Sequence, residues 1–290
     1  MTFKAQPISE PKLDRVLLKP LVETALVEDL GRRGDVTSQA TIPADKQAQL
    51  QIRARQAGVI CGMDLAHLSF TMIDQDIEFV AQVADGETVA AGTILATVRG
   101  NARHLLTAER TALNFMTHLS GIATATRQVV DSVADYSVQI TCTRKTIPGL
   151  RIVQKYAVRC GGGRNHRLGL DDAILIKDNH IAIAGDITTA IAQAKDFAGH
   201  LIPIEIEVDT LEQLAQALDA GADLVLLDNM TPATLKKAVT MCQGRAKTEA
   251  SGGVTPDSVQ AVAKTGVDFI AMGYLTHSTT ALDIGLDFSA

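Results

Sequence analysis

The chain contains no tryptophan, three tyrosines and seven phenylalanines, so aromatic residues make up only 3% of its 290 positions. Surfaces for single-stranded nucleic acid interleave aromatic rings with basic residues, and a chain of formal net charge −6 with so few rings is not built that way. Its four cysteines, Cys61, Cys142, Cys160 and Cys242, make no C-x-x-C pair and no zinc-like spacing. They read as reduced, mostly buried thiols. The seven histidines do not pair at helical metal-ligand spacing either. No apolar run approaches the roughly 20 residues of a membrane span, and the opening MTFKAQPISEPK has no apolar leader core. A cytoplasmic protein with neither membrane nor nucleic acid as partner is expected.

What is present suits a globular chain. Apolar residues are 46% and charged residues 21% of the sequence, enough for a sizeable core. At roughly 150 residues per domain the length fits one large domain or two ordinary ones. The basic residues are concentrated in the stretch 141–180, TCTRKTIPGLRIVQKYAVRCGGGRNHRLGLDDAILIKDNH, which holds eight of the 27. Its only acids are Asp171, Asp172 and Asp178. An acidic chain with one cationic island offers a site for an anion there. Arg151, Lys155 and Arg159, at i, i+4 and i+8, read as a solvated helix face. Arg144 and Lys145 follow the strand-like run 137–141, and Lys177 follows the apolar run 173–176, so these side chains belong at strand ends. Between them, Gly161, Gly162 and Gly163 precede Asn165, His166 and Arg167, a backbone free to approach a ligand and three polar side chains beside it.

In chain order, 12–30 reads as helix, with Pro20 starting a second segment. Alternating runs at 49–54 and 77–83 suit half-buried strands, and Asp85-Gly86 signals a hairpin turn. The segment 84–100 has the rhythm of a small swivelling β module but no lysine to carry a prosthetic group, so it reads as structural. A long helical pattern begins after Asn101, and the switch near 105–120 marks a domain boundary. From 137 onward, apolar runs at 138–141, 173–176, 204–208, 224–227 and 268–272, with a weaker one near 246–250, alternate with helical patterns. Thr210 with Gln213 predicts a capping box, and Thr231-Pro232 and Thr255-Pro256 predict helix starts. Alternation of this kind implies a parallel α/β sheet or barrel.

Polar groups recur after those runs: Arg144 and Lys145; Lys177 and Asn179; Glu207 and Asp209; Asp228 and Asn229; Ser251, Gly252 and Gly253; Gly273. In a (β/α) barrel the C-terminal strand ends converge on one mouth, where an active site is built. Arginine forks suit carboxylates, lysines suit phosphates as point charges, and glycine loops offer backbone N–H groups to a phosphate. Glu207 and Asp228 are candidates to hold Mg²⁺, which keeps most of its waters and takes one or two carboxylates with substrate phosphates.

The strings TRKTIPGLR, KYAVRCGGGRNHRLGL and LIKDNHI, with EDLGRRGDVTS, ERTALNF, HLSGIAT, EIEVD, LLDNM and EASGGV in the same order, resemble the quinolinate phosphoribosyltransferase family over most of 28–278. Cys142 stands where many relatives carry an acid. The resemblance implies an α+β domain over 1–115, an incomplete TIM-like (β/α) barrel over 116–275, and a tail, 276–290, returning to the first domain. It implies a Mg²⁺-dependent homodimer whose Arg110 reaches the neighbouring subunit's substrate. Quinolinate would meet Arg144, His166, Arg167 and Lys177, with Thr143 as a further substrate contact. Phosphoribosyl pyrophosphate would meet Lys145, Lys177, Glu207, Asp228, Ser251, Gly252, Gly253 and Gly273, with Lys145, Glu207 and Asp228 as catalytic groups. Three rivals stand beside this: a same-fold paralogue with another substrate, a Schiff-base aldolase using Lys145 or Lys177, and a non-catalytic nucleotide sensor. The acidic Thr-Gly motif of the common phosphoribosyltransferase fold is not found; LLDNMTPAT at 226–234 lacks its second acid and glycine.

Overall fold

The computed structural model describes residues 13–288. Residues 1–12, on which the leader reading and the first position of the expected helix fall, lie outside it. Two compact units are present, one comprising the chain up to Arg127 with Pro148–Gly162 and the stretch from Thr279, the other Gln128–Ile147 and Gly163–Ser278.

In the first unit, α1 (Arg15–Leu30) buries Leu18, Val22 and Leu26 at i, i+4 and i+8. Pro20 lies inside this single helix and starts no second one. The hydrogen bond it removes is to the carbonyl of Val16 near the helix start, and Val16 is 75% exposed, so water reaches that acceptor. Next come α2 (Val36–Thr41), β1 (Gln47–Ala54), β2 (Gly58–Val59), α3 (Met63–Ile73), β3 (Glu78–Ala81), β4 (Thr88–Val89), β5 (Ile94–Asn101) and α4 (Ala102–Ser132), whose end from Gln128 onward belongs to the second unit. β1 and β5 pair antiparallel and β3 pairs with β5. Leu50, Ile52 and Ala54 alternate inward on β1, against Leu95 and Val98, Phe70 of α3, and Leu105, Leu113 and Met116 of α4. Asp85-Gly86 does turn the chain, with Gly86 at φ 89°, but no hairpin forms, because β4 pairs with β2. The Asp85 carboxylate is buried and accepts from Met63 N–H at 3.1 Å and from the Tyr156 hydroxyl at 3.1 Å.

Tyr156 belongs to α5 (Arg151–Cys160), which lies in this unit. The solvated face expected there is not observed. Lys155 is fully buried and Arg151 and Arg159 are half-buried. Helical spacing identifies a face but not what packs on it, and a lysine stem is apolar enough to be buried.

The second unit contains β6 (Gln139–Thr141), β7 (Ile174–Ile176), α6 (Asp178–Ala184), α7 (Ile187–Phe197), β8 (Ile204–Val208), α8 (Leu211–Asp219), β9 (Leu224–Asp228), α9 (Pro232–Cys242), β10 (Lys247–Ser251), α10 (Val259–Ala263), β11 (Phe269–Ala271) and α11 (Tyr274–His277). Six parallel strands run in the order β6-β11-β10-β9-β8-β7, an incomplete TIM-like barrel. Arg164 adds a parallel bridge to Thr141 at the β6 edge. Helix caps form where expected at Thr210 with Gln213 and at Thr231 with Pro232. Thr255-Pro256 instead opens a turn, and α10 begins only at Val259. There the Ser258 hydroxyl accepts from Thr255 N–H at 2.9 Å, which competes with helical bonding.

The boundary expected near 105–120 falls inside α4, a continuous helix that offers no turn signal to read. β12 (Ile284–Phe288) pairs antiparallel with β1 in the first sheet. Among the described residues no helix is long and apolar enough to cross a membrane.

Candidate active site

The strand ends of the second unit gather most of the expected groups. Lys177, just after β7, pairs with the carboxylate of Glu207 on β8. Asp228 ends β9, and Asn229 Nδ2 donates to its Oδ2 at 2.6 Å. Asn229 has φ 53°, the one positive value outside glycine among the described residues. Its N–H donates to the Ser251 carbonyl at 3.0 Å, so the ends of β9 and β10 are tied together. Gly252, at φ 91°, has no room for a side chain: a Cβ would stand 2.2 Å from Asn229 Oδ1 and 2.6 Å from its backbone nitrogen. Gly253 follows at φ 61°. A Cβ on Gly273 would stand 3.0 Å from Lys145 Cδ, so the lysine stem lies along that glycine. Thr276 Oγ1 donates to the Lys145 carbonyl at 2.7 Å, and Lys145 N–H donates to Thr143 Oγ1 at 3.0 Å.

Charge is arranged unevenly across these ends. Burial, reinforced by Asp209, pushes the Asp228 carboxyl up, and Lys177 and Lys145 pull it back. Burial lowers the Arg167 guanidinium from its ordinary value, with the positive charge of Arg144 as the next cause. Arg144 Nε is buried and donates to no group among the described residues. Two neighbouring guanidiniums, one with a buried donor to spare, suit a ligand bearing two negative groups. Arg110 is not among the gathered groups. It lies on α4, in the first unit, exposed and 3.6 Å from Glu109.

Below the strand ends lies a polar layer. Thr141, Glu205 and Glu249, from the alternate strands β6, β8 and β10, are each 4% exposed. Thr141 Oγ1 donates to Glu249 Oε1 at 2.7 Å. His166 Nε2 stands 2.9 Å from Glu205 Oε2, and His166 Nδ1 accepts from Arg167 N–H at 2.8 Å. Cys142, fully buried, donates from Sγ to Asn165 Oδ1 at 3.4 Å. A cavity of about 440 Å³ touches this layer, lined also by Ile174, Leu224 and Phe269, the first residues of their strands. His166 and Arg167 line it too, and Arg167 Nη1 donates to the Ala173 carbonyl at 3.0 Å, so the cavity and this guanidinium lie toward the N-terminal strand ends, whereas Lys145, Lys177, Glu207 and Asp228 do not line it. Sequence reasoning passed over Glu205 and Glu249, although each stands two residues before a chosen group, Glu207 or Ser251. Period-two alternation puts such pairs on one strand face, and that was the available signal.

The description "Quinolinate phosphoribosyl transferase, N-terminal domain" matches residues 35–120, and the corresponding C-terminal domain matches 122–287. The chain is 46% identical over 271 residues to nicotinate-nucleotide pyrophosphorylase [carboxylating] of Mycobacterium leprae, covering 92% of this chain and 95% of that protein. It is 42% identical over 275 residues to a probable nicotinate-nucleotide pyrophosphorylase [carboxylating] of Bacillus subtilis, covering 95% and 94%. The solved structure of the nicotinate-nucleotide pyrophosphorylase from Francisella tularensis superposes with a TM-score of 0.92 at 41% identity, covering 96% of this chain and 98% of that one. The match across both domains and nearly the whole length places the chain in the quinolinate phosphoribosyltransferase family.

Proposed function

We propose that the chain transfers the phosphoribosyl group of phosphoribosyl pyrophosphate to quinolinate, with loss of CO₂, giving nicotinate mononucleotide and pyrophosphate in NAD biosynthesis. The observation that carries this reading is the cluster of Lys145, Lys177, Glu207 and Asp228 with the glycine backbone at the strand ends, in a unit where Arg144 is near enough to Arg167 for its charge to be felt there. Arg144, Arg167, Lys177 and Thr143 take the pyridine dicarboxylate, with His166 at the floor beside Arg167. Lys145, Lys177 and the backbone of Ser251, Gly252, Gly253 and Gly273 take the phosphates.

The ring nitrogen attacks the anomeric carbon as pyrophosphate leaves, and the positive charge developing on the ribose faces the carboxylates of Glu207 and Asp228. The alkylated ring nitrogen then withdraws electrons from the adjacent C–CO₂⁻ bond, CO₂ departs, and a proton takes its place. The donor set fits Mg²⁺: Asp228 is held up by burial and by Asp209, so a cation relieves a real excess of negative charge. Glu207 and Asp228 would hold the ion, which when bound neutralises pyrophosphate charge.

The reading includes a homodimer in which Arg110, exposed on α4, serves the partner's site. A reducing, cytoplasmic setting agrees with four buried free thiols. Calorimetric titration tests substrate choice. Nicotinate leaves one set of cations unpaired, and two lost charged hydrogen bonds at roughly 1.5–3 kcal/mol each predict discrimination of about a hundredfold or more. Equal affinity for the two acids would overturn the assignment.

A further inference from the structure

A barrel interior is ordinarily filled by layers of branched apolar side chains contributed by alternate strands. Here the layer beneath Glu207 and Ser251 is Thr141, Glu205 and Glu249, with His166 against them. Buried carboxylates are costly unless each oxygen is satisfied, so the layer has to be accounted for atom by atom.

The hydrogen bonds fix where the hydrogens are. Arg167 N–H donates to His166 Nδ1, so Nδ1 carries no hydrogen and the ring is the neutral Nε2–H form. Nε2 then donates to Glu205 Oε2. Thr141 donates to Glu249 Oε1. What remains is Glu205 Oε1, buried and without a partner among the described residues, against the side chain of Glu249. Two ionised carboxylates in contact inside a protein repel, whereas one hydrogen between them satisfies both.

We propose that Glu249 is held as the neutral acid donating to Glu205, and that the pair are positioning residues: Glu205 fixes the His166 ring, and the ring fixes the Arg167 peptide. The Arg167 guanidinium, whose Nη1 donates to the Ala173 carbonyl at 3.0 Å, is thereby held in a fixed place for a substrate carboxylate to reach, a consequence that rests on the functional reading above. Nothing in this chain of contacts touches the reacting atoms. The three side chains offer ligand atoms within 4.8 Å of one another, the separation of a metal cluster. In this arrangement, however, Nε2 carries a hydrogen and has no lone pair to give.

The first test needs no substrate. In ¹⁵N–¹H correlation spectra of the histidine rings, assigned with His166→Gln, His166 shows a bare Nδ1 and a protonated Nε2. A doubly protonated ring or the Nδ1–H form overturns the proposal. So does a stoichiometric divalent ion in the purified protein that is lost on Glu249→Gln.

The second test is kinetic. Glu249→Gln supplies an amide hydrogen where the shared one lay, and should keep the quinolinate KM within about threefold of the parent. Glu249→Leu supplies none, and should raise it about tenfold or more, the scale of one lost charged hydrogen bond, with a smaller change in the KM for phosphoribosyl pyrophosphate. Where the leucine variant does not fold, Glu249→Asp, which keeps the acid but withdraws its reach, must show the rise instead. Equal damage from the conservative and disruptive variants, or none from either, overturns the proposal. A parent protein that ignores quinolinate would overturn the functional reading alone, since the histidine spectrum still decides the placement of the hydrogen.

Discussion

Arg144 stands near enough to Arg167 that, after burial, it is the next cause disfavouring the Arg167 charge, and a buried Nε of Arg144 has no acceptor among the described residues. Like charges are held together at such a place by the fold, and a dianionic ligand relieves them. Arg144→Ala should therefore raise the quinolinate KM about tenfold or more, on the scale of a lost charged hydrogen bond. Arg159→Ala, half-buried on α5, should leave it within about twofold. Steady-state kinetics with quinolinate varied decides this, and equal effects would remove Arg144 from the site.

Gly252→Ala adds a Cβ that meets Asn229 at 2.2 and 2.6 Å while also forcing φ 91° on a residue that resists it. Backbone at the ends of β9 and β10 has to move. The expected result is a loss of phosphoribosyl pyrophosphate affinity of about tenfold or more, and a lower melting temperature from strain on the order of 1–3 kcal/mol. Gly92, also at positive φ but with open space around it, is the control. Gly92→Ala should lower stability and leave substrate affinity as it was.

Tyr156→Phe removes a donor from the buried Asp85 carboxylate. That carboxyl is pushed up by burial and eased by the N–H groups of Met63 and Gly62 and then by this hydroxyl. Loss of the hydroxyl leaves a desolvated acceptor short of a partner, at about 1–3 kcal/mol. Urea unfolding should show the deficit in the midpoint with an unchanged slope.

Glu249 carries a pH signature. Burial first, and the Glu205 carboxylate second, push its carboxyl up to about 7 from an ordinary 4.5. Between those values the folded chain holds a proton that the unfolded chain has released, so its contribution is present in full below about 4.5 and is lost as pH rises through about 7. Asp85 and Asp228 shift in the same direction. Burial lowers His67 and His118, which act in the opposite sense below the ordinary histidine value, so the signature is a difference: between about 4.5 and 7 the parent should lose stability relative to Glu249→Gln as pH rises.

Much of this was legible in the residues. Apolar runs alternating with helical patterns located all six barrel strands, the one near 246–250 more weakly, and residue types with known backbone chemistry located the Thr210 and Thr231 caps. The strand-end groups were legible because barrel geometry sends them to one mouth. What failed shares a cause. Lys155 and Pro20 depend on which neighbour packs against a helix, and Thr255 depends on a side chain three residues on. Glu205 and Glu249 were hidden for a related reason. Acids inside strands look like exposed positions until the alternate strands that join them are known.

Turnover measures the central claim directly. The protein is mixed with quinolinate, phosphoribosyl pyrophosphate and Mg²⁺, and CO₂ and nicotinate mononucleotide are followed together, with nicotinate as the control substrate. The account predicts equal yields of both products from quinolinate and little or none from nicotinate. Binding of phosphoribosyl pyrophosphate without product from quinolinate would contradict it.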